Sequence, residues 1–186
     1  VNRIMVDLET LGTAPGSVIL SIGAVRFDEM GLQDEFYVNI NPESCVAVGL
    51  QMDVSTVMWW LGQSDEARKG LFAGEAKVLA EALAMFGQWA IRAGTPQAAK
   101  VDELWGNGAD FDNVLLSRAY VAVDMPKPWE FRKNKCYRTV CGLRPNIPFA
   151  RPTIAHNALE GAKAQAIHLI EVLRQLGGTE IPQKVS

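Results

Sequence analysis

Ile4-Met5-Val6-Asp7-Leu8-Glu9-Thr10 is an apolar run closed by two acids at alternating positions. Consecutive apolar residues fit a strand buried on both faces, and successive side chains of a strand point to opposite faces. Asp7 and Glu9 therefore emerge together while Leu8 points the other way. Two carboxylates on one face at the end of a buried strand repel each other and lose hydration, and a divalent cation is the usual way to offset both costs. The bland alternative is a solvated strand end with two surface acids, and the remainder of the chain has to decide between the two.

Val18 to Phe27 is a near-continuous apolar run with Gly23 inside it, which predicts a central strand, and Gly12-Thr13-Ala14-Pro15-Gly16 supplies the turn before it. Phe36, Val38 and Ile40 alternate with Tyr37, Asn39 and Asn41, so a third, half-buried strand follows the turn at Asp28–Gly31. Three strands with short connections make an antiparallel meander. Beyond it, residues 54–61 and 64–72 read as short helices, and Leu79, Ala82, Leu83, Phe86 and Trp89 fall at helical spacing. Arg92 to Lys100 reads as a loop, Glu103 to Gly106 as a short strand, and a helix starts near Phe111; residues 124–135, with their prolines, read as a long loop or a short strand. Leu159, Ala162, Ala166, Leu169, Leu173 and Leu176 step by three and four along one face of a last helix that stops at Gly177-Gly178. A meander followed by alternating helices and strands predicts a mixed α/β sheet with helices packed on it.

With 186 residues, 48% apolar and 21% charged, the chain fits one soluble domain. No stretch reaches a membrane-spanning length and no basic-then-apolar leader is present, so no membrane role is expected. The 3 cysteines, Cys45, Cys136 and Cys141, form neither an even framework nor a paired zinc spacing, which suits a reducing cytoplasm. A net charge of −3 argues against wrapping a long duplex, because such binding draws its affinity from many cations on phosphates. A site that takes a short end and neutralises phosphate with metal stays open.

Two further segments carry chemistry. Asp110-Phe111-Asp112 stands where a strand gives way to a helix after a glycine-rich turn, and His156-Asn157-Ala158-Leu159-Glu160-Gly161 opens the last helix. A lone histidine is by default a cap or a satisfied polar group. The order of the three segments alters that default. DxET, then xFD, then HNAL resembles the DEDDh 3′→5′ exonucleases of the ribonuclease H-like superfamily, and Leu104-Trp105-Gly106-Asn107-Gly108-Ala109-Asp110-Phe111-Asp112-Asn113 with His156-Asn157-Ala158-Leu159 is most similar to ribonuclease T-like 3′ exoribonucleases of bacteria and phages.

The resemblance implies one ribonuclease H-like exonuclease domain over residues 1–186, releasing nucleoside monophosphates from single-stranded 3′ ends, RNA in preference to DNA. By position, Asp7, Glu9 and Asp112 become metal ligands and His156 the general base, with Asp110 left to cap the following helix. Two Mg²⁺ or Mn²⁺ ions about 3.5–4 Å apart can activate water and stabilise the leaving oxygen. Hard cations take carboxylate oxygens, and histidine changes charge near neutral pH, so it can accept the proton of the attacking water. Thr10, Leu11, Trp59, Trp60 and Arg138 are the expected substrate contacts, an indole stacking on a terminal base. Arg132, Lys133, Lys135 and Arg138 form the densest basic run, suited to phosphates of the entering strand or simply to a solvated loop. The resemblance also implies a homodimer in which the basic surface of one subunit serves the site of the other.

One position departs from the pattern. The family's fourth acid lies five residues after the histidine, where this chain has Gly161. Glu160 is adjacent but lies about 100° around the helix from that position, so it either compensates as a ligand or is simply exposed. Three functions stay open on that account: a weakened exonuclease, a catalytically inactive nucleic-acid-binding module on the exonuclease fold, or a small phosphoesterase acting on nucleotides.

Overall fold

The computed structural model describes residues 1–71, 73–92, 94, 96, 98–108, 110–152 and 155–177. Strand β1 (Arg3–Thr10) pairs antiparallel with β2 (Ile19–Asp28), and β2 with β3 (Gly31–Ile40), so the meander forms as its alternation dictates. Short strands then extend both sides in parallel: β4 (Ala76–Lys77) on β3, β5 (Glu103–Gly106) on β1, and β6 (Asn134–Cys136) on β5. The 6-stranded sheet runs β4-β3-β2-β1-β5-β6. Its helices are α1 (Pro42–Ala47), α2 (Val54–Leu61), α3 (Asp65–Leu71), α4 (Leu79–Ala90), α5 (Asp112–Ala122), α6 (Tyr137–Cys141) and α7 (Ala158–Gly177).

The period of two along β1 sorts its side chains into two cores. Ile4, Val6 and Leu8 join Ile22, Phe36, Leu83, Phe86, Leu115 and Tyr120 beneath α4 and α5. Met5 points the other way and packs with Val25, Phe27 and Trp105 against Ala162, Ala166, Leu169 and Ile170 of α7. Asp7 and Glu9 share the face of Met5, so they look toward α7. Alanines at i and i+4 let α7 approach closely, and Gly23 lets it touch. A Cβ on Gly23 would overlap the main chain of Ala158 and Leu159, and Gly23 is the residue paired with Asp7. The first turn of α7 is thereby laid beside the acidic end of β1.

Arg26 of β2 locks the other layer. Its buried guanidinium donates to the Trp89 carbonyl at 2.8 Å, reaches Asn2 Oδ1, and lies 4.8 Å from the Trp89 ring, capping the last carbonyls of α4. Burial, with the Arg92 charge adding to it and Asp34 opposing, lowers its pKa to about 10, so it stays cationic at neutral pH.

Several elements depart from the sequence expectations. Residues 42–47 form α1, with Asn41 accepting from the Glu43 amide at 2.8 Å and Pro42 at the first turn. Residues 131–136 form a 3₁₀ turn (Phe131–Lys133) leading into β6, with α6 directly after it. The helix predicted near Phe111 begins at Asp112, and the N-cap position falls on Phe111 with no side-chain cap, so the cap expected from Asp110 is not made. The helix predicted at 64–72 is seen as Asp65–Leu71, and Phe72 and Gly178 lie outside the described residues. No helix among the described residues is long and apolar enough to cross a membrane.

Candidate active site

Asp7 is half-buried where β1 passes under the start of α7. Gln165 Nε2 donates to its Oδ1 at 2.9 Å, and its Oδ2 lies against the bare main chain at Gly161. Asp112, fully buried, turns its carboxylate back onto β1. The Leu8 amide donates to Oδ1 at 3.2 Å and the Asn107 amide to Oδ2 at 2.7 Å. Because Leu8 sits between Asp7 and Glu9, the carboxylate of Asp112 is delivered to those two acids, which interact with it electrostatically. This delivery depends on the parallel pairing of β5 with β1, which sets Met5 beside Trp105 and leads through Gly106 and Asn107 to the first turn of α5.

The electrostatics are those of crowded, poorly solvated acids. Burial pushes the Asp7 carboxyl well above the usual carboxylate range, Asp112 and Glu9 push it further, and the Gln165 hydrogen bond opposes them. Burial and the charge of Asp112 raise Glu9 to about 7. Burial raises Asp112 to about 6 against the Asn107 and Leu8 amides and the Arg138 charge, which lower it. The three acids interact electrostatically, although among the described residues no group of three or more His, Cys, Asp or Glu side chains is placed to hold a metal ion.

A pH dependence follows. Carboxyls whose folded pKa is raised make the native state bind more protons than the unfolded chain, so stability falls as pH rises. The contribution is fully present below the unfolded values near 4 and is lost as pH rises through about 6–7, where Asp112 and Glu9 titrate. In EDTA, the melting temperature is expected to be higher at pH 5.5 than at pH 8 by roughly 5 °C or more. Mn²⁺ should stabilise more at pH 8, because the cation takes the deprotonated acids. Thermal unfolding at the two pH values, with and without Mn²⁺, checks both signs.

Next to the acids is a cavity of about 500 Å³ lined by Leu8, Glu9, Thr10, Thr13, Ser55, Thr56, Trp59, Trp60 and Phe111. The paired indoles divide the work expected of them. Trp60 is buried and donates Nε1–H to the Thr10 carbonyl at 2.8 Å, tying α2 to β1, whereas Trp59 stays half-exposed. Both pack edge-on against His156, with ring centroids 5.0 Å (Trp59) and 5.4 Å (Trp60) from it. His156 occupies the left-handed region at φ 59, uncommon for a non-glycine residue, and its ring nitrogens have no hydrogen-bond partner among the described residues.

Three interacting acids, a flanking cavity and a histidine packed on two of its indoles are parts a phosphodiesterase uses, and sequence comparison agrees. Residues 2–173 match the family described as the 3′-5′ exoribonuclease Rv2179c-like domain. The chain belongs to that family. No curated protein matches it significantly. Among solved structures, the nuclease domain of 3′hExo, a DEDDh family member bound to rAMP, is 15% identical over 95% of this chain and 92% of that one, with a TM-score of 0.61. Exonuclease X in complex with 5′ overhanging duplex DNA is 15% identical over 95% and 94%, with a TM-score of 0.57. Cell-death related nuclease 4 is 12% identical over 94% of this chain and 64% of that one, with a TM-score of 0.61. The fold is the ribonuclease H-like fold of DEDDh exonucleases, and the chain is a 3′→5′ exonuclease domain.

The periphery of this exoribonuclease-family domain differs from expectation in four places. Thr10 lines the cavity, but its hydroxyl donates to the Gly12 carbonyl at 2.7 Å, while Leu11 packs its side chain against the core. The basic run divides: Arg138 stays beside the site, donating to the Asn107 carbonyl at 3.0 Å, whereas Arg132, Lys133 and Lys135 line a cleft with Val1, Asp102 and Glu103 at the opposite end of β5. Glu160 accepts from Lys163 at 3.2 Å, and Lys163 also meets Glu35 at 3.1 Å, so the Glu160 carboxylate is held on the outer side of α7 and is not delivered to Asp7 as a substitute ligand. Gln165 was not among the candidates. Its signal is a polar residue four after Gly161, on the buried face of an alanine-rich helix.

Proposed function

We propose that the chain shortens single-stranded 3′ ends, RNA in preference to DNA, releasing nucleoside monophosphates with two bound divalent cations. The observation that carries this is the mutual electrostatic interaction of Asp7, Glu9 and Asp112 around Leu8, with Glu9 lining an aromatic cavity. Mg²⁺ or Mn²⁺ fits the donors: they are hard oxygens, their charge is costly to bury alone, and Gln165 Oε1 is buried with no partner among the described residues. Asp7, Glu9 and Asp112 are the residues that would hold the cations, which when bound supply charge stabilisation and a more acidic water. His156 takes the proton of the attacking water, its orientation set by the two indoles. The open face of Trp59 stacks on the terminal base, and Arg138 takes a phosphate of the same strand. The RNA preference rests on the family description. Arg132, Lys133 and Lys135 stand too far along the sheet to serve their own site, which favours a homodimer in which they serve the partner's.

A second reading, a non-catalytic binding module, is favoured by Gly161 alone. End-labelled RNA and DNA, with Mn²⁺ or EDTA, separate the two. We expect 3′ shortening that is faster on RNA, stops in EDTA and falls about 10²–10⁴-fold in His156→Ala. Tight binding without cleavage at saturating Mn²⁺ would establish the module instead, and shortening from the 5′ end contradicts both.

A further inference from the structure

We propose that Gln165 is itself a ligand of the cation held by Asp7, its side-chain carbonyl oxygen standing in for the carboxylate that Gly161 lacks. The inference rests on the metal-dependent reading above and concerns how this particular chain fills the site. At Gly161 a Cβ would overlap Asp7 Oδ2 and stand 3.0 Å from its Cγ, so the carboxylate of Asp7 occupies the space where a side chain at 161 would begin. One turn further along the same face, Gln165 is only 5% exposed and donates Nε2–H to Asp7 Oδ1 at 2.9 Å. The same planar amide carries Oε1, buried and without a partner among the described residues. A buried acceptor is ordinarily paired, and leaving one orphaned is costly. A side-chain amide oxygen is an ordinary ligand for Mg²⁺-like and Ca²⁺-like ions, and a cation on Asp7 is a partner that would satisfy it. A neutral oxygen in place of a carboxylate also leaves the site one negative charge short, so the cation is held, but less tightly than by four acids.

Calorimetric titration of the full chain with Mn²⁺, comparing wild type, Gln165→Leu and Gln165→Glu, tests this, with thermal unfolding in EDTA as the control for folding. We expect Gln165→Leu to weaken Mn²⁺ binding about tenfold or more and Gln165→Glu, nearly the same shape, to tighten it by a similar factor. A purely structural glutamine would lose affinity in both variants. Leu binding as tightly as wild type, or Glu binding no tighter, overturns the proposal; if Leu fails to fold, the Glu variant alone decides. Wild type that binds no Mn²⁺ at all overturns the metal-dependent reading together with this one.

Discussion

Gly161→Asp is expected to raise Mn²⁺-dependent 3′→5′ cleavage by about a hundredfold or more. Each tenfold requires only about 1.4 kcal/mol of transition-state stabilisation, and a fourth carboxylate acting directly on the cations can supply several times that. The substitution is not free of cost. Its Cβ enters the space held by Asp7 Oδ2, so the Asp7 side chain must shift, and the site then holds four crowded acids. In EDTA at pH 8 the variant should therefore melt below wild type, and in Mn²⁺ above it. Glu160→Ala provides the contrast: its carboxylate is held by Lys163 in a half-buried pairing away from Asp7, so activity should not change. Measuring kcat/KM on end-labelled RNA, with melting curves in both conditions, decides the matter. A Gly161→Asp variant that binds Mn²⁺ more tightly yet cleaves no faster would show that the missing acid does not limit the reaction.

Gly23→Ala is expected to produce the largest loss. The added methyl meets main chain rather than a movable side chain, so the first turn of α7 has to lift off the sheet. Overpacking costs about 1–3 kcal/mol where side chains can adjust, and a backbone obstacle belongs at or beyond the top of that range. The melting temperature should fall roughly 6–12 °C for a chain of this length. Activity should fall further than stability, because the same turn follows His156 and carries Gly161 against Asp7, with Gln165 one turn behind it. A displacement of about 1 Å in such a site commonly costs a hundredfold in rate. Melting curves and rates measured on the folded fraction separate the two effects. A variant with wild-type stability would mean that α7 does not rest on Gly23.

The alternation of Asp7, Leu8 and Glu9, the meander that follows and the long apolar stripe of residues 159–176 were all determined by local periodicity, and they assembled as that periodicity requires. The family was legible as well, in three short segments whose order survives without any knowledge of their contacts. Helix α1 was within reach too: Asn41-Pro42-Glu43 is a cap, a helix-starting proline and an acid in the first turn. What tertiary structure alone decided are contacts between residues far apart in the chain. The parallel pairing of β5 with β1 takes Asp112 to the Leu8 amide, 104 residues away, and demotes Asp110 from its capping role. The rotation of α7 on Gly23 brings Lys163, the partner of Glu160, to Glu35 and Gln165, 158 positions distant, to Asp7. The start of β6 at Asn134 parts Arg132 and Lys133 from Arg138, though all three lie within seven consecutive residues. Periodicity states which face of an element is apolar; it does not state which neighbour that face meets, because the choice is made by packing many weak contacts at once.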